Sequence, residues 1–175
     1  MSEAEILRSE LEERFALAPE AVKVQREKRV WIQADQKTTE HIFEYLVKLQ
    51  GFRILCTITG LDEGENLGFI YHLARDGGMM ANLKTACPKG AAIRTVTGFF
   101  PGAAIYEREL EDLLGARVEG LPPGQRYPLP EDWPTGDHPL LKDWKPRTTA
   151  PEAGVQGAPA APPAGAEKGS SDERR

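Results

Sequence analysis

FRILCTITGLDEGENLGFIYHLARDGGMMANLKTA, residues 52–86, decides the fold. Phe52–Thr59 is a run of β-branched and apolar residues, Leu67–Arg75 is a second, and Met79–Ala86 is a third. The acidic stretch Leu61–Asn66 and the turn Asp76-Gly77-Gly78 separate them. Parallel neighbours need a crossover of a dozen residues or more, so connections this short imply consecutive antiparallel strands. Such a sheet buries one face, and helices elsewhere in the chain must cover it.

Those helices are expected upstream. Ser2 with Glu5 forms a capping box, and Leu7, Leu11 and Phe15 give a first helix its apolar stripe, with Pro19 ending it. Val22 and Val24, then Val30 and Ile32, alternate with polar residues around Arg26-Glu27-Lys28, the pattern of a hairpin. Trp31 points to the opposite face from Val30 and Ile32, a candidate for cover by a helix. Thr38 or Thr39 is placed to cap a second helix that buries Ile42, Phe43, Leu46 and Leu49 and ends at Gly51.

Downstream, Phe99–Trp144 begins as a turn and a charged helix and becomes a proline-punctuated ribbon. Pro101-Gly102 makes the turn, and about two turns of helix end at Gly115 in a left-handed cap. Tyr106, Leu110, Leu113 and Leu114 share one face, while Glu107 and Glu111 lie towards the other. Arg108 reaches Asp112 at i+4, but an exposed pair contributes only ~0.3–0.5 kcal/mol. That is too little to explain so dense a cluster of charge. The sharper expectation is that Arg108, Glu109 and Asp112 hold neighbouring backbone or a partner's side chains through charge-assisted hydrogen bonds. After Gly115, seven prolines from Pro122 to Pro146 bar a sheet interior or a further helix. Yet Tyr127, Leu129, Trp133, Leu140, Leu141 and Trp144 are spread along this ribbon, and large apolar groups in water cost ~25 cal/mol per Å². The ribbon is expected to lie on another protein.

The division is therefore an α+β domain over 1–115, with a small antiparallel sheet, helices on one face and a short charged helix, then an extended Pro-rich arm over 116–146. An Ala/Pro/Gly-rich tail over 147–175, without periodicity, is expected to be disordered. A net charge of -5 argues against nucleic acid as partner. No apolar run approaches the ~20 residues needed to span a bilayer. The acidic, amphipathic start MSEAEILRSE is no secretory signal, so the chain is expected to be cytoplasmic.

Pro101-Gly102-Ala103, Tyr106-Glu107-Arg108-Glu109, Asp112 and Gly115 stand in order, followed by Glu119-Gly120, Leu129-Pro130, Asp132-Trp133, His138-Pro139-Leu140 and Lys142-Asp143. This series closely resembles the hallmark region of the 30 kDa subunit family of respiratory complex I (NADH:quinone oxidoreductase) and its counterparts in membrane-bound energy-converting [NiFe] hydrogenases. Tyr71-His72-Leu73 is a weaker upstream echo. One departure is that Leu121-Pro122 stands where the family usually has His-Pro.

The resemblance implies a small α+β domain and a non-catalytic subunit in the peripheral arm of a membrane-bound redox complex, on the cytoplasmic face of the membrane and attached only through partners. Its implied partners are the large catalytic or quinone-site subunit, the Fe–S small subunit and a ferredoxin-like subunit. No cofactor is implied for this chain, since Fe–S clusters and, in hydrogenases, the Ni–Fe site belong to the partners. The implied interface residues are Tyr106, Glu107, Arg108, Glu109, Asp112, Gly115, Leu129, Pro130, Trp133, His138, Pro139, Leu140, Lys142 and Trp144. The Leu121-Pro122 departure and an abbreviated Cys87–Arg94 connection incline the reading to the hydrogenase or formate-hydrogenlyase branch, with complex I proper as the alternative.

Chemistry within the chain is sparse. Cys56 and Cys87 lack the CxxC or His companions of a metal site. Cys56 reads as a small buried hydrophobe, and Cys87, beside Pro88 and near Lys84 and Lys89, as an exposable thiol. His41, His72 and His138 are isolated, His72 reading as a hydrogen-bonded sheet residue and His138 as an interface contact. No phosphate-binding glycine loop occurs. A free-standing hydrolase or thiol enzyme would need a pocket around Cys87 or Glu107. A soluble adaptor would be a monomer stable without partners, against which the Trp and Leu of the arm speak.

Overall fold

The computed structural model describes residues 1–146, so the expected disordered tail over 147–175 lies outside the described residues. Helix α1 (Glu3–Phe15) starts with the expected capping box, Glu5 N–H donating to Ser2 Oγ at 3.2 Å and Ser2 N–H to Glu5 Oε2 at 2.6 Å. Ala4, Leu7 and Leu11 are its buried stripe. The helix ends before Pro19, at Ala16 in the left-handed region (φ 49°). Strands β1 (Val22–Arg26) and β2 (Arg29–Gln33) form the expected hairpin, with a register shift between Val24 and Arg26.

Helix α2 (Gln36–Lys48) is capped by Asp35 rather than by Thr38 or Thr39. Thr38 N–H donates to Asp35 Oδ1 at 3.0 Å, because a carboxylate one residue before the helix reaches the open backbone donors that a threonine inside it does not. Ile42, Phe43 and Leu46 are buried as expected, with Thr39. Leu49 is not: it follows the last helical residue and is 66% exposed.

Strands β3 (Ile54–Asp62), β4 (Asn66–Arg75) and β5 (Met79–Pro88) pair as two antiparallel ladders, β3 with β4 and β4 with β5. The five-stranded order is β1-β2-β5-β4-β3. One pairing departs from the expected antiparallel sheet, since β2 runs parallel to β5, Val30 beside Ala81 and Ile32 beside Leu83. That contact joins residues some fifty positions apart and leaves no trace in local turn chemistry.

All three helices cover the same face. Val30, Ile32, Ile58, Phe69, Tyr71, Leu73, Ala81 and Leu83 share a buried core with residues of α1, α2 and α3. On the opposite face His72 is hydrogen-bonded as expected, its Nε2 3.0 Å from Thr59 Oγ1 and its Nδ1 2.8 Å from Asn82 Oδ1. Trp31 is in register with Asn82 there.

Helix α3 (Ala103–Leu114) is longer than the two turns expected and packs on β3. Its close approach requires Gly60. A Cβ at Gly60 would stand 2.3 Å from Leu114 Cδ1 and 2.5 Å from Leu110 Cδ2, so any side chain there would force both leucines to shift. Short β6 (Ala92–Arg94) and β7 (Arg117–Glu119) form a separate parallel pair that the sequence does not announce. Each is only three residues long.

Both cysteines differ from expectation. Cys56 is exposed, at the register shift of edge strand β3, and Cys87 is buried on the core face of β5, where burial raises its thiol pKa. Burial thus disfavours the thiolate form at Cys87 that a thiol nucleophile needs.

Candidate subunit interface

Glu107 is the first surprise of α3. Expected on the solvated face, it is 1% exposed, because the 95–97 loop folds over it. Its Oε2 accepts from Thr95 Oγ1 at 2.6 Å and its Oε1 from Val96 N–H at 2.7 Å. Burial raises its pKa, against the opposing pull of these two bonds. Glu111 Oε1 accepts from Val118 N–H at 3.3 Å. The two carboxylates thus tie α3 to the loop before it and the strand after it, and Glu107 has both oxygens occupied by donors.

The next two charges hold the arm. Arg108 does not pair with Asp112. Its Nη2 donates to the carbonyl oxygens of Pro122 at 3.0 Å and Pro123 at 3.4 Å. Asp112 accepts from Arg126 Nε on Oδ1 at 2.7 Å and from Leu129 N–H on Oδ2 at 3.3 Å. Prolines explain this choice: a chain that has lost backbone donors still offers carbonyl oxygens, and a guanidinium needs only acceptors. Glu109 lies half-buried on the same helix.

Farther along, the arm crosses the end of α3. His138 Nδ1 donates to the Asp112 carbonyl oxygen at 2.8 Å, with its ring against Gly115, the left-handed cap at φ 67°. Leu140 N–H donates to the Leu113 carbonyl oxygen at 3.0 Å. Lys142 N–H donates to Asp62 Oδ2 at 2.9 Å. Asp62 also receives Gly64 N–H and Lys89 Nζ, and these bonds, that of Lys142 first, hold its pKa down at about 2. Tyr106 anchors the other flank, its hydroxyl donating to the Cys56 carbonyl oxygen at 3.1 Å.

Met1–Lys145 packs as one compact unit, so part of the burial that the sequence assigns to another protein is supplied by the chain itself. Leu121 and Leu141 pack against the core. Trp133 and Trp144 stack on each other, ring centroids 6.3 Å apart and planes 27° apart, and Trp133 Nε1 donates to the Asp137 carbonyl oxygen at 2.9 Å. Pro130 accepts from Trp133 N–H at 3.0 Å, and Leu129 and Pro139 are half-buried. The cover is incomplete. Tyr127 is 47% exposed and Leu140 56%, and the buried indole N–H of Trp144 has no acceptor among the described residues.

Arg126 and Asp62 are central to this arrangement, yet neither stands out in the sequence. Arg126 sits in a proline-rich stretch and Asp62 in an acidic turn, so neither carries a local periodic signal. Among the described residues no three His, Cys, Asp or Glu side chains converge as a metal site, and no helix is long and apolar enough to cross a membrane.

Comparison with known proteins gives the same direction from several sides. The beta subunit of the membrane-bound hydrogenase of Pyrococcus furiosus is 28% identical over 152 residues, covering 83% of this chain and 88% of that protein. The C subunit of the NADH-quinone oxidoreductase of Moorella thermoacetica is 32% identical over 114 residues, 61% of this chain and 74% of that one. Among solved structures, a chain of the membrane-bound sulfane sulfur reductase, an archaeal respiratory membrane complex, superposes with a TM-score of 0.70 at 26% identity, over 82% of this chain and 86% of that one. The family described as respiratory-chain NADH dehydrogenase, 30 Kd subunit, matches residues 10–150, a span that holds the whole sheet, α3 and the arm, and the chain belongs to that family.

Proposed function

We propose that this chain is a non-catalytic subunit in the peripheral arm of a membrane-bound redox complex, where the 116–146 arm clamps the large subunit beside the Fe–S small subunit. The observation that carries the reading is the half-finished docking of the arm. Arg108, Asp112 and His138 fix its course across α3, yet Tyr127 and Leu140 stay exposed and Trp144 Nε1 lacks an acceptor among the described residues. An unmade hydrogen bond on a buried donor costs ~1–3 kcal/mol, and a partner that supplied the acceptor while covering the apolar groups would recover it. Prolines lower the ordering cost of a ribbon that stays extended when bound, and stacked Trp133 and Trp144 have the character of interface anchors.

The same reading places the Fe–S clusters and any Ni–Fe site in the partners, a ferredoxin-like subunit among them, and the chain on the cytoplasmic face. Electrons pass beside this chain. The hydrogenase-type branch is favoured by the near full-length match to a membrane-bound hydrogenase subunit and by Leu121-Pro122 in place of His-Pro. The second reading, complex I proper, is supported by the 32% identity to the NADH-quinone oxidoreductase protein of Moorella thermoacetica.

Purification of the tagged chain from native membranes, with nickel, hydrogen and NADH assays on what accompanies it, tests both. Nickel and hydrogen turnover in the recovered complex is the expected result. Donor-linked quinone reduction without nickel would favour complex I, and recovery of the chain alone would overturn the clamp.

A further inference from the structure

A second unfinished surface lies beside α2. Between α2, the core face of β4 and β5, and the 93–99 segment, the fold leaves a cleft of about 320 Å³. Three aromatic rings wall it. Phe43 meets Tyr71 edge-on, centroids 5.3 Å apart at 76°, and meets Phe99 at 5.5 Å and 51°. Phe99 is 38% exposed and already carries one cation, with Lys48 Nζ 5.7 Å from its centroid.

The cleft also holds an unanswered polar atom. Thr85 lines it from β5 and is 3% exposed, and its Oγ1 has no hydrogen-bond partner among the described residues. A buried hydroxyl without a partner is costly, and buried polar groups in native folds are paired in the large majority of cases. At the rim stand the carboxylates of Glu40 and Glu44. Lys48 engages Glu44, and Arg94 meets Glu40 only at 3.6 Å with its own side chain 73% exposed. Neither cation is hydrogen-bonded to Thr85 Oγ1.

We propose that this cleft receives the side chain of an arginine from a partner subunit, its guanidinium stacked among Phe43, Tyr71 and Phe99, donating to Thr85 Oγ1 and paired with Glu40. The inference rests on the reading of this chain as a subunit. Glu40, whose contact with the exposed Arg94 is long at 3.6 Å, leaves the rim a carboxylate that a further cation can pair. A purely apolar plug would leave Thr85 Oγ1 unpaired. An ammonium is strongly hydrated and has no plane to stack, whereas a guanidinium is planar, weakly hydrated and rich in donors. Arg94 at the rim shows that Glu40 is within reach of this chemistry.

The test uses the intact complex purified through this chain. A photoreactive p-benzoylphenylalanine replacing rim residue His41 is irradiated and its adducts are mapped by mass spectrometry, and the dissociation rate of this chain is measured in rising salt. A crosslink to an arginine-containing segment of a partner is expected. Glu40→Gln and Thr85→Val should each speed dissociation on the order of tenfold, as should replacement of that arginine by leucine. Thr85→Val breaks no bond within the described residues, so the thermal midpoint of the isolated chain should not fall. Adducts confined to this chain, or to a segment without arginine, or wild-type dissociation in both variants, would overturn the proposal while the intact complex upheld the subunit reading. A chain that purifies alone would overturn both.

Discussion

The imidazole of His138 lies so close over Gly115 that a Cβ there would stand 2.7 Å from its Cδ2. The glycine is doubly required, since φ 67° is costly for any other residue and the ring occupies the space a side chain would need. Gly115→Ala should lower the unfolding free energy by about 1–3 kcal/mol from the backbone alone, and should also push His138 off the Asp112 carbonyl oxygen. Chemical denaturation with proteolysis of the 120–144 stretch reads both effects. An unchanged midpoint and an unchanged cleavage rate would contradict the arrangement.

Arg126 is the arm's other fastening. Its Nε bonds Asp112 and its Nη1 donates to the Trp133 carbonyl oxygen at 2.8 Å, so one side chain ties α3 to the Trp133–Trp144 stack. Arg126→Ala should cost about 1–3 kcal/mol of arm docking, since Asp112 is 9% exposed and loses its cation. Expected are faster proteolysis near Arg126–Trp144 and a red shift of tryptophan emission, with the unfolding of the sheet little changed.

Glu107 makes a prediction of opposite sign to most carboxylates. Its pKa is raised by burial, so the folded state holds the proton more tightly than the unfolded state and stability falls as pH rises through the range just above the ordinary glutamate value. Glu107→Gln removes that leg, and its profile should be flatter than wild type there. Glu107→Ala should instead lose about 2–4 kcal/mol at all pH values, because Val96 N–H is stranded beside a cavity. Equal losses in both variants would show that the charge, not the shape and the bonds, is what the site uses.

Much of this is legible in the sequence. The capping box of Ser2 and Glu5, the strand triplet of 52–86, the αL cap at Gly115 and the single covered face follow from spacing and turn chemistry, which are local. What escapes is non-local. The parallel contact of β2 with β5 and the β6–β7 pair depend on distant segments meeting. Glu107 reads as solvated because helical periodicity ranks faces by the helix itself, and here a loop from outside the helix covers the charged face. Arg108 and Asp112 are recognisable as hydrogen-bonding charges, but their partners, Pro122, Pro123 and Arg126, lie across an irregular ribbon whose path no periodicity describes.

Asp62 gives the arm an acid-sensitive end. Its pKa is held at about 2 against an ordinary 3.8, first by Lys142 N–H, then by Gly64 N–H and Lys89. A depressed carboxylate contributes stability that is complete above the unfolded value and is lost as pH falls between about 4 and 2. Release of the 140–144 segment in that window, followed by Trp144 emission, should be present in wild type and absent from Asp62→Ala, in which the segment is already loosened at neutral pH. A variant that still shows the wild-type acid transition would assign the transition to other carboxylates.

A scaffold and a catalyst respond differently to loss of the same side chains. If the arm clamps a partner, Arg108→Ala and Trp133→Ala act on assembly, because Arg108 sets the arm's course through the Pro122 and Pro123 carbonyl oxygens and Trp133 is half of the aromatic anchor. Each should reduce the amount of complex recovered from membranes several-fold, a truncated aromatic anchor typically costing about 2 kcal/mol or more. The redox centres and the turnover per assembled complex should stay at wild-type values. Normal assembly with abolished turnover would place one of these side chains in the chemistry instead, and would overturn the scaffold reading.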